Sequence, residues 1–218
     1  MLELPLFPLN TVLFPGMPLS LHIFEERYKQ MIGLCIEQRT PFGVVLIKQG
    51  HEALGPLAQP HIIGCTAQIQ RVQPLRQGQM NILALGQERF RILELKHDKP
   101  YLVGMVEMLP LRDSDVHAVD DGISRLRPMM MRYLDILKEA GQIQFDSKQL
   151  PEDTETLAYL AAVLLQVSSE QKQNLLASER LSVMLAELRT LYRRELALLN
   201  FMKSQSENES AKGPFSLS

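Results

Sequence analysis

The stretch from Leu4 to Tyr28, LPLFPLNTVLFPGMPLSLHIFEERY, is apolar enough to be buried, yet Pro5, Pro8, Pro15 and Pro18 break it every few residues. Proline carries no backbone donor and clashes with the preceding helical turn, so this segment cannot be one helix. It reads as short edge strands joined by turns. Phe14-Pro15-Gly16 is a type II turn signal, in which the proline fixes the first corner and the glycine takes the positive φ of the second. A helix is expected from Glu25, because Tyr28, Met31, Ile32, Cys35 and Ile36 then fall at i, i+3, i+4, i+7 and i+8 and form one stripe for packing on a sheet. Glu25 and Glu26 favour the positive end of that helix. With Arg27, Glu88 and Arg89 they are expected to form ion pairs tying the helix start to a later hairpin.

Short apolar or β-branched segments follow at 41–48, 62–72, 80–85, 90–95 and 101–109, each bounded by Gly, Pro, Gln-Gly or His-Asp. In the second of these, Ile63, Cys65, Ala67 and Ile69 alternate with Thr66, Gln68 and Gln70, giving one apolar and one wet face. So many short strands leave many edges, and a small closed or nearly closed barrel is the economical way to protect them. Composition shifts at Pro110-Leu111-Arg112-Asp113-Ser114, after which the hydrophobic period is helical. A first helix over about 114–140 carries Ile123, Leu126, Met130, Tyr133, Leu134 and Leu137 on one face, with Gly141 as its C-cap and Pro128 kinking or restarting it. A second begins after Pro151 with Asp153 as N-cap and runs to about Val167. A short third opens on a Ser168–Gln171 capping box, and the last runs from about Ser178 to Lys203. The expected division is a β lobe over 1–112, a four-helix bundle lobe over 113–203 and a disordered tail over 204–218, the tail being too polar to bury a core.

The chain has 218 residues and a net charge of −2, from 23 basic and 25 acidic side chains. Residues 1–112 hold 11 basic and 9 acidic residues, a net of +2, and the remainder is net −4, so neither half is a basic nucleic-acid surface. No run of 18 apolar residues is present and the start lacks a basic leader, which points to a cytoplasmic protein without membrane contact. Cys35 and Cys65 stand at apolar positions and read as buried free thiols, in keeping with a reducing compartment.

Four motifs, in order, resemble the Lon N-terminal domain family, the substrate-recognition domain at the front of Lon proteases. It also occurs in cereblon-type adaptors and in stand-alone bacterial proteins. The first is the Leu4–Tyr28 stretch. The second is Ile63-Gly64-Cys65-Thr66-Ala67-Gln68-Ile69, similar to the family's IGT-A-I strand with Cys65 where threonine is commoner, and the third is Leu85-Gly86-Gln87-Glu88-Arg89-Phe90, similar to its GxxRF hairpin. The fourth is the helical pattern through Leu157–Leu164, Glu170–Leu175 and Glu179-Arg180-Leu181. The resemblance covers the chain to about residue 203. It implies an α+β fold, a PUA-like β pseudobarrel with one packed helix followed by a helical bundle, in a stand-alone member without ATPase or peptidase modules. Pro15, Gly16, Glu25, Arg27, Tyr28, Gly64, Gly86, Arg89 and Phe90 are then structural motif residues.

No Gly-Lys dipeptide occurs, so no phosphate-cradling loop is present, and no serine spacing proposes a base beside a nucleophile. His22, His51, His61, His97 and His117 show no i, i+4 ligand pairing, and there is no Cys-x-x-Cys. The reading is therefore a non-enzymatic module without metal or cofactor. Its expected partners are unfolded or degron-like polypeptide segments and a separate protease or chaperone. Met129, Met130 and Met131 run consecutively, and one helix stripe cannot bury all three. A groove walled by Phe14, Met17, Leu19, Met129 and Met131 is the expected peptide site. The alternative, an RNA-binding PUA-like module, would use Arg71, Arg76, Arg89 and Arg91, but lacks the basic-aromatic interleaving that stacks bases. An unrecognised hydrolase has no residues to support it. Leu198 and Met202 widen the last helix's apolar stripe enough for a weak homodimer.

Overall fold

A computed structural model describes residues 1–52, 58–113, 115–141 and 150–211, with side chains to 205. It divides into two compact units, Met1–Arg112 with Ala162–Glu179, and Asp113–Ala161 with Arg180–Ser218.

The first unit holds strands β1 (Leu2–Leu9), β2 (Pro18–Ile23), β3 (Phe42–Gln49), β4 (Gln59–Pro74), β5 (Met80–Lys96) and β6 (Leu102–Met108), with helix α1 (Glu26–Gln38) after β2. The strands form one mixed sheet in the order β2-β5-β4-β3-β1-β6. Among the described residues only β1–β3 is parallel; the other pairings are antiparallel. Because β6 also pairs with β5, the pairings β5–β4–β3–β1–β6–β5 close into a circuit, and β2 joins it on β5 alone. The α1 stripe of Tyr28, Met31, Ile32 and Cys35 is buried in the larger core with Phe7, Leu9, Phe42, Val44 and Ile82. A smaller core gathers Leu4, Leu6, Val45, Phe90, Leu102 and Val106.

Two expected elements are one. Residues 80–85 and 90–95 belong to a single strand, and Gly86-Gln87-Glu88 is a bulge within it rather than a hairpin turn. Cys65 pairs with Arg89 and Ala67 with Gly86, so Thr66 faces one residue too many on β5. The Thr66 hydroxyl resolves the surplus: it accepts from Glu88 N at 3.0 Å and donates to Glu88 O at 3.2 Å. Thr66 is consequently buried, although its place in the alternation predicted a wet side chain.

The second unit contains α2 (Val116–Glu139) and α5 (Leu181–Ala211), and the unit boundary falls inside α3 (Thr154–Leu164). α2 runs through Pro128 without a restart, and Gly141 follows it at φ +70°. α2 packs on α5 through Leu126, Met130, Tyr133 and Leu137 on one side and Leu185, Leu188 and Tyr192 on the other. Tyr133 and Tyr192 meet edge to face at 5.3 Å, and the Tyr192 hydroxyl donates to Ala161 O at 2.9 Å. Asp153 caps α3 through Thr156 N at 2.8 Å.

Helix α4 (Ser169–Leu176) opens on the Ser168–Gln171 capping box. It belongs to the sheet unit, not to a four-helix bundle. Gln173 Nε2 donates to Ile63 O at 3.0 Å, and Ser169 Oγ donates to Asn10 O at 3.1 Å. α5 continues past Lys203 to Ala211, into the segment expected to be a tail; residues 212–218 lie outside the described residues.

Candidate functional site

The motif residues meet at two joints of the sheet unit. At the first, Met17 N closes on Phe14 O at 3.1 Å with Gly16 at φ +76°, the type II turn that Pro15-Gly16 predicts. This turn docks on the β5 bulge: Gly16 N donates to Gly86 O and Gly86 N to Met17 O, both at 2.9 Å. A Cβ on Gly86 would lie 2.2 Å from Phe14 O, so only glycine permits the approach. At the second, the Phe90 ring lies where Gly64 has no side chain; a Cβ there would come within 2.6 Å of Phe90 Cζ.

Arg89 is 2% exposed. Its Nη1 donates at 2.6 Å to both Leu176 O and Ser178 O, carbonyls left free at the end of α4, where a cation also suits the negative end of the helix. The expected ion-pair cluster is therefore split. Glu25 pairs with Arg27 at 2.9 Å, Lys29 with Glu26 at 2.7 Å, and Arg89 takes no part. Arg27 lies 4.7 Å over Tyr28, whose ring stacks on Phe7 at 4.1 Å. Burial of Arg89 also dissolves the four-arginine surface patch. Of the others, Arg71 and Arg76 are exposed, and Arg91 faces Glu107 at 3.6 Å and Glu179 at 3.8 Å.

Of the residues expected to wall a peptide groove, Phe14 is 0% and Leu19 7% exposed, so both are core side chains. Met17 is half-buried in the sheet unit. In the helical unit Met129 and Met131 are half-buried on either side of the buried Met130. Both cysteines are free and buried, and burial pushes the Cys65 thiol up to about 12 and the Cys35 thiol upward as well. Neither is a thiolate nucleophile near neutral pH.

The feature that residue-by-residue reading missed is the outer edge of β2. Among the described residues β2 has one strand partner. A cavity of about 450 Å³ lies over Ser20, His22, Arg71, Gln73, Asn81 and Leu83, which cross-strand register places on one face. A second of about 260 Å³ touches Leu9, Leu21, Phe24, Glu25, Tyr28 and Glu52, and both cavities share Ser20, Leu21 and His22. His22 Nδ1 is 2.8 Å from Asn81 Oδ1. Ser20 and His22 stand at i, i+2 on one face of β2, about 6.6 Å apart along the strand by its rise. The alternation Pro18-Leu19-Ser20-Leu21-His22-Ile23 was the available signal. A further cavity of about 220 Å³ is lined by Leu2, Leu4, Met31, Leu34, Tyr101 and Val103 among others.

Residues 3–194 match the family model described as the ATP-dependent protease La (LON) substrate-binding domain. The chain belongs to this Lon substrate-binding domain family. Among curated relatives, the Lon protease of Syntrophus aciditrophicus is 26% identical over 213 residues, covering 94% of this chain and 27% of its own length. That of Anaeromyxobacter dehalogenans is 26% identical over 217 residues, covering 96% and 25%. The chain thus spans about a quarter of these Lon proteases. Among solved structures, the Lon N-terminal domain protein from Xanthomonas campestris superposes with a TM-score of 0.59 at 24% identity, covering 86% of this chain and 97% of that one. The N-terminal domain of Mycobacterium avium complex Lon protease gives 0.65 at 16%, covering 88% and 98%. The α+β fold is that of Lon N-terminal domains, and the matched region is the one described by substrate binding. Among the described residues no helix is long and apolar enough to cross a membrane.

Proposed function

We propose that this Lon-family domain is a polypeptide-recognition module that holds extended apolar or degron-like segments of other proteins for a separate protease or chaperone, with no chemistry of its own. The observation that carries this reading is the match over residues 3–194 to a domain described by substrate binding. The buried thiols support a binding role over thiol catalysis. The closed circuit of pairings supports reading the sheet as a PUA-like pseudobarrel, and two free buried thiols suit the reducing cytoplasm. Met17, Met129 and Met131 are partly exposed and flexible, and are proposed as adaptable apolar contacts. Leu198, Phe201 and Met202 on α5, 51%, 61% and 65% exposed at i, i+3 and i+4, are proposed as a weak self-association face. Sedimentation velocity over a concentration series checks this, a fixed monomer mass arguing against it.

The recognition reading is tested by titrating fluorescein-labelled, carboxymethylated α-lactalbumin at about 50 and about 200 mM salt, a range over which phosphate-directed binding collapses. Saturable binding that changes by no more than about twofold is expected of apolar contact. A steep loss, or no binding, contradicts the reading.

A further inference from the structure

We infer that the outer edge of β2 is the polypeptide site, and that it recognises main chain by strand addition. This rests on the recognition reading above and names its surface and binding mode. In the β2–β5 ladder, Gly86 N bonds Met17 O, so hydrogen-bonded pairs recur at Leu19–Ala84, Leu21–Ile82 and Ile23–Met80. Pro18, Ser20 and His22 then direct their backbone groups away from β5. They form a short row of carbonyls and two N–H donors that only another extended backbone matches along its length.

The two cavities select an extended occupant over a helical one. They share Ser20-Leu21-His22 and flank it on the two faces of the strand, and an added strand sends alternate side chains to opposite faces. The inner cavity has apolar walls at Leu9, Leu21 and Phe24, and its carboxylates are already engaged, Glu25 by Arg27 and Glu52 by Asn10, whereas the outer one carries the Arg71 cation beside Leu83. The occupant is therefore an extended segment of an unfolded polypeptide, with apolar residues on the inner face alternating with acidic or apolar residues on the outer.

The test is Ser20→Pro, which deletes one outward N–H without touching a β5 hydrogen bond, at an edge position of the kind that tolerates proline. Ser20→Ala separates loss of the side chain from loss of the N–H. With labelled carboxymethylated α-lactalbumin, Ser20→Pro is expected to weaken binding about tenfold or more, a loss of about 1.4 kcal/mol. Ser20→Ala, which keeps the N–H, is expected to lose less binding than Ser20→Pro, and an equal loss overturns main-chain recognition. Circular dichroism and a thermal melt check that Ser20→Pro folds. If it does not, amide exchange on the wild type decides, with Ser20 and His22 expected to gain protection when the polypeptide is added. Wild-type binding with an unaffected, folded Ser20→Pro, or with no added protection at these amides, overturns the edge assignment alone. No wild-type binding overturns the recognition reading itself. A wild-type dimer that Ser20→Pro splits would assign the edge to a second copy of the chain, which also overturns it.

Discussion

Gly86 and Arg89 stand three residues apart on β5 and serve different joints. Gly86 admits the Phe14–Met17 turn, and Gly86→Ala would drive a Cβ to 2.2 Å from Phe14 O and separate two 2.9 Å hydrogen bonds. A loss of about 3 kcal/mol is expected in urea unfolding, and an unchanged midpoint would contradict the docking geometry. Arg89→Met leaves the carbonyls of Leu176 and Ser178 without their donor, at an expected cost of about 2–3 kcal/mol, while Arg89→Lys restores one ammonium and falls between. Equal stability of the three proteins would remove Arg89 as the tie to α4. Two aspartates contribute to the acid limb. Hydrogen bonds from Ser182 and Asp115 hold Asp113 below the usual carboxylate range, and those from Thr156 do the same for Asp153. A carboxylate depressed by folding contributes stability that is fully present above its unfolded value, about 3.9, and is lost as pH falls through the lower folded value. Asp153→Asn keeps the α3 cap, because one oxygen accepts both Thr156 bonds, and should flatten the thermal midpoint's dependence on pH below about 4, relative to wild type.

β5 is one strand because its interruption is repaired by a neighbour. Gly86-Gln87-Glu88 has the composition of a turn, and nothing local shows that the Thr66 hydroxyl, on another strand, satisfies both backbone groups of Glu88. Thr66→Val keeps the shape and removes both bonds, so a loss of about 1–2 kcal/mol is expected by thermal denaturation, with no change if the bulge is self-sufficient. Elements set by local chemistry were legible: the Phe14–Met17 turn, the α1 stripe, the Asp153 cap and the Ser168–Gln171 box all follow from residues within one turn of one another. Those set by distant partners were not. Arg89 read as a surface cation because arginine is rarely buried, and only the end of α4 explains its place. α4 itself read as bundle because its apolar face does not name the surface that it covers. The β2 alternation was visible, but its free edge follows only from the order of six strands.

The two units divide the labour of the chain differently. Among the described residues the sheet unit closes its strands into a circuit and leaves β2 with a single partner, flanked by two cavities. The helical unit exposes half-buried methionines on α2 and an apolar stripe on α5. These are the surfaces that the proposed recognition of polypeptides would use, and burial holds both thiols protonated. The direct comparison is one polypeptide in two states: native, disulfide-intact α-lactalbumin against its reduced, carboxymethylated form, each titrated into the full chain under the same conditions. Recognition of exposed extended segments predicts that the unfolded form binds at least about tenfold tighter than the native form, and that neither is cleaved. Equal affinity for both, or release of peptide fragments, would contradict it.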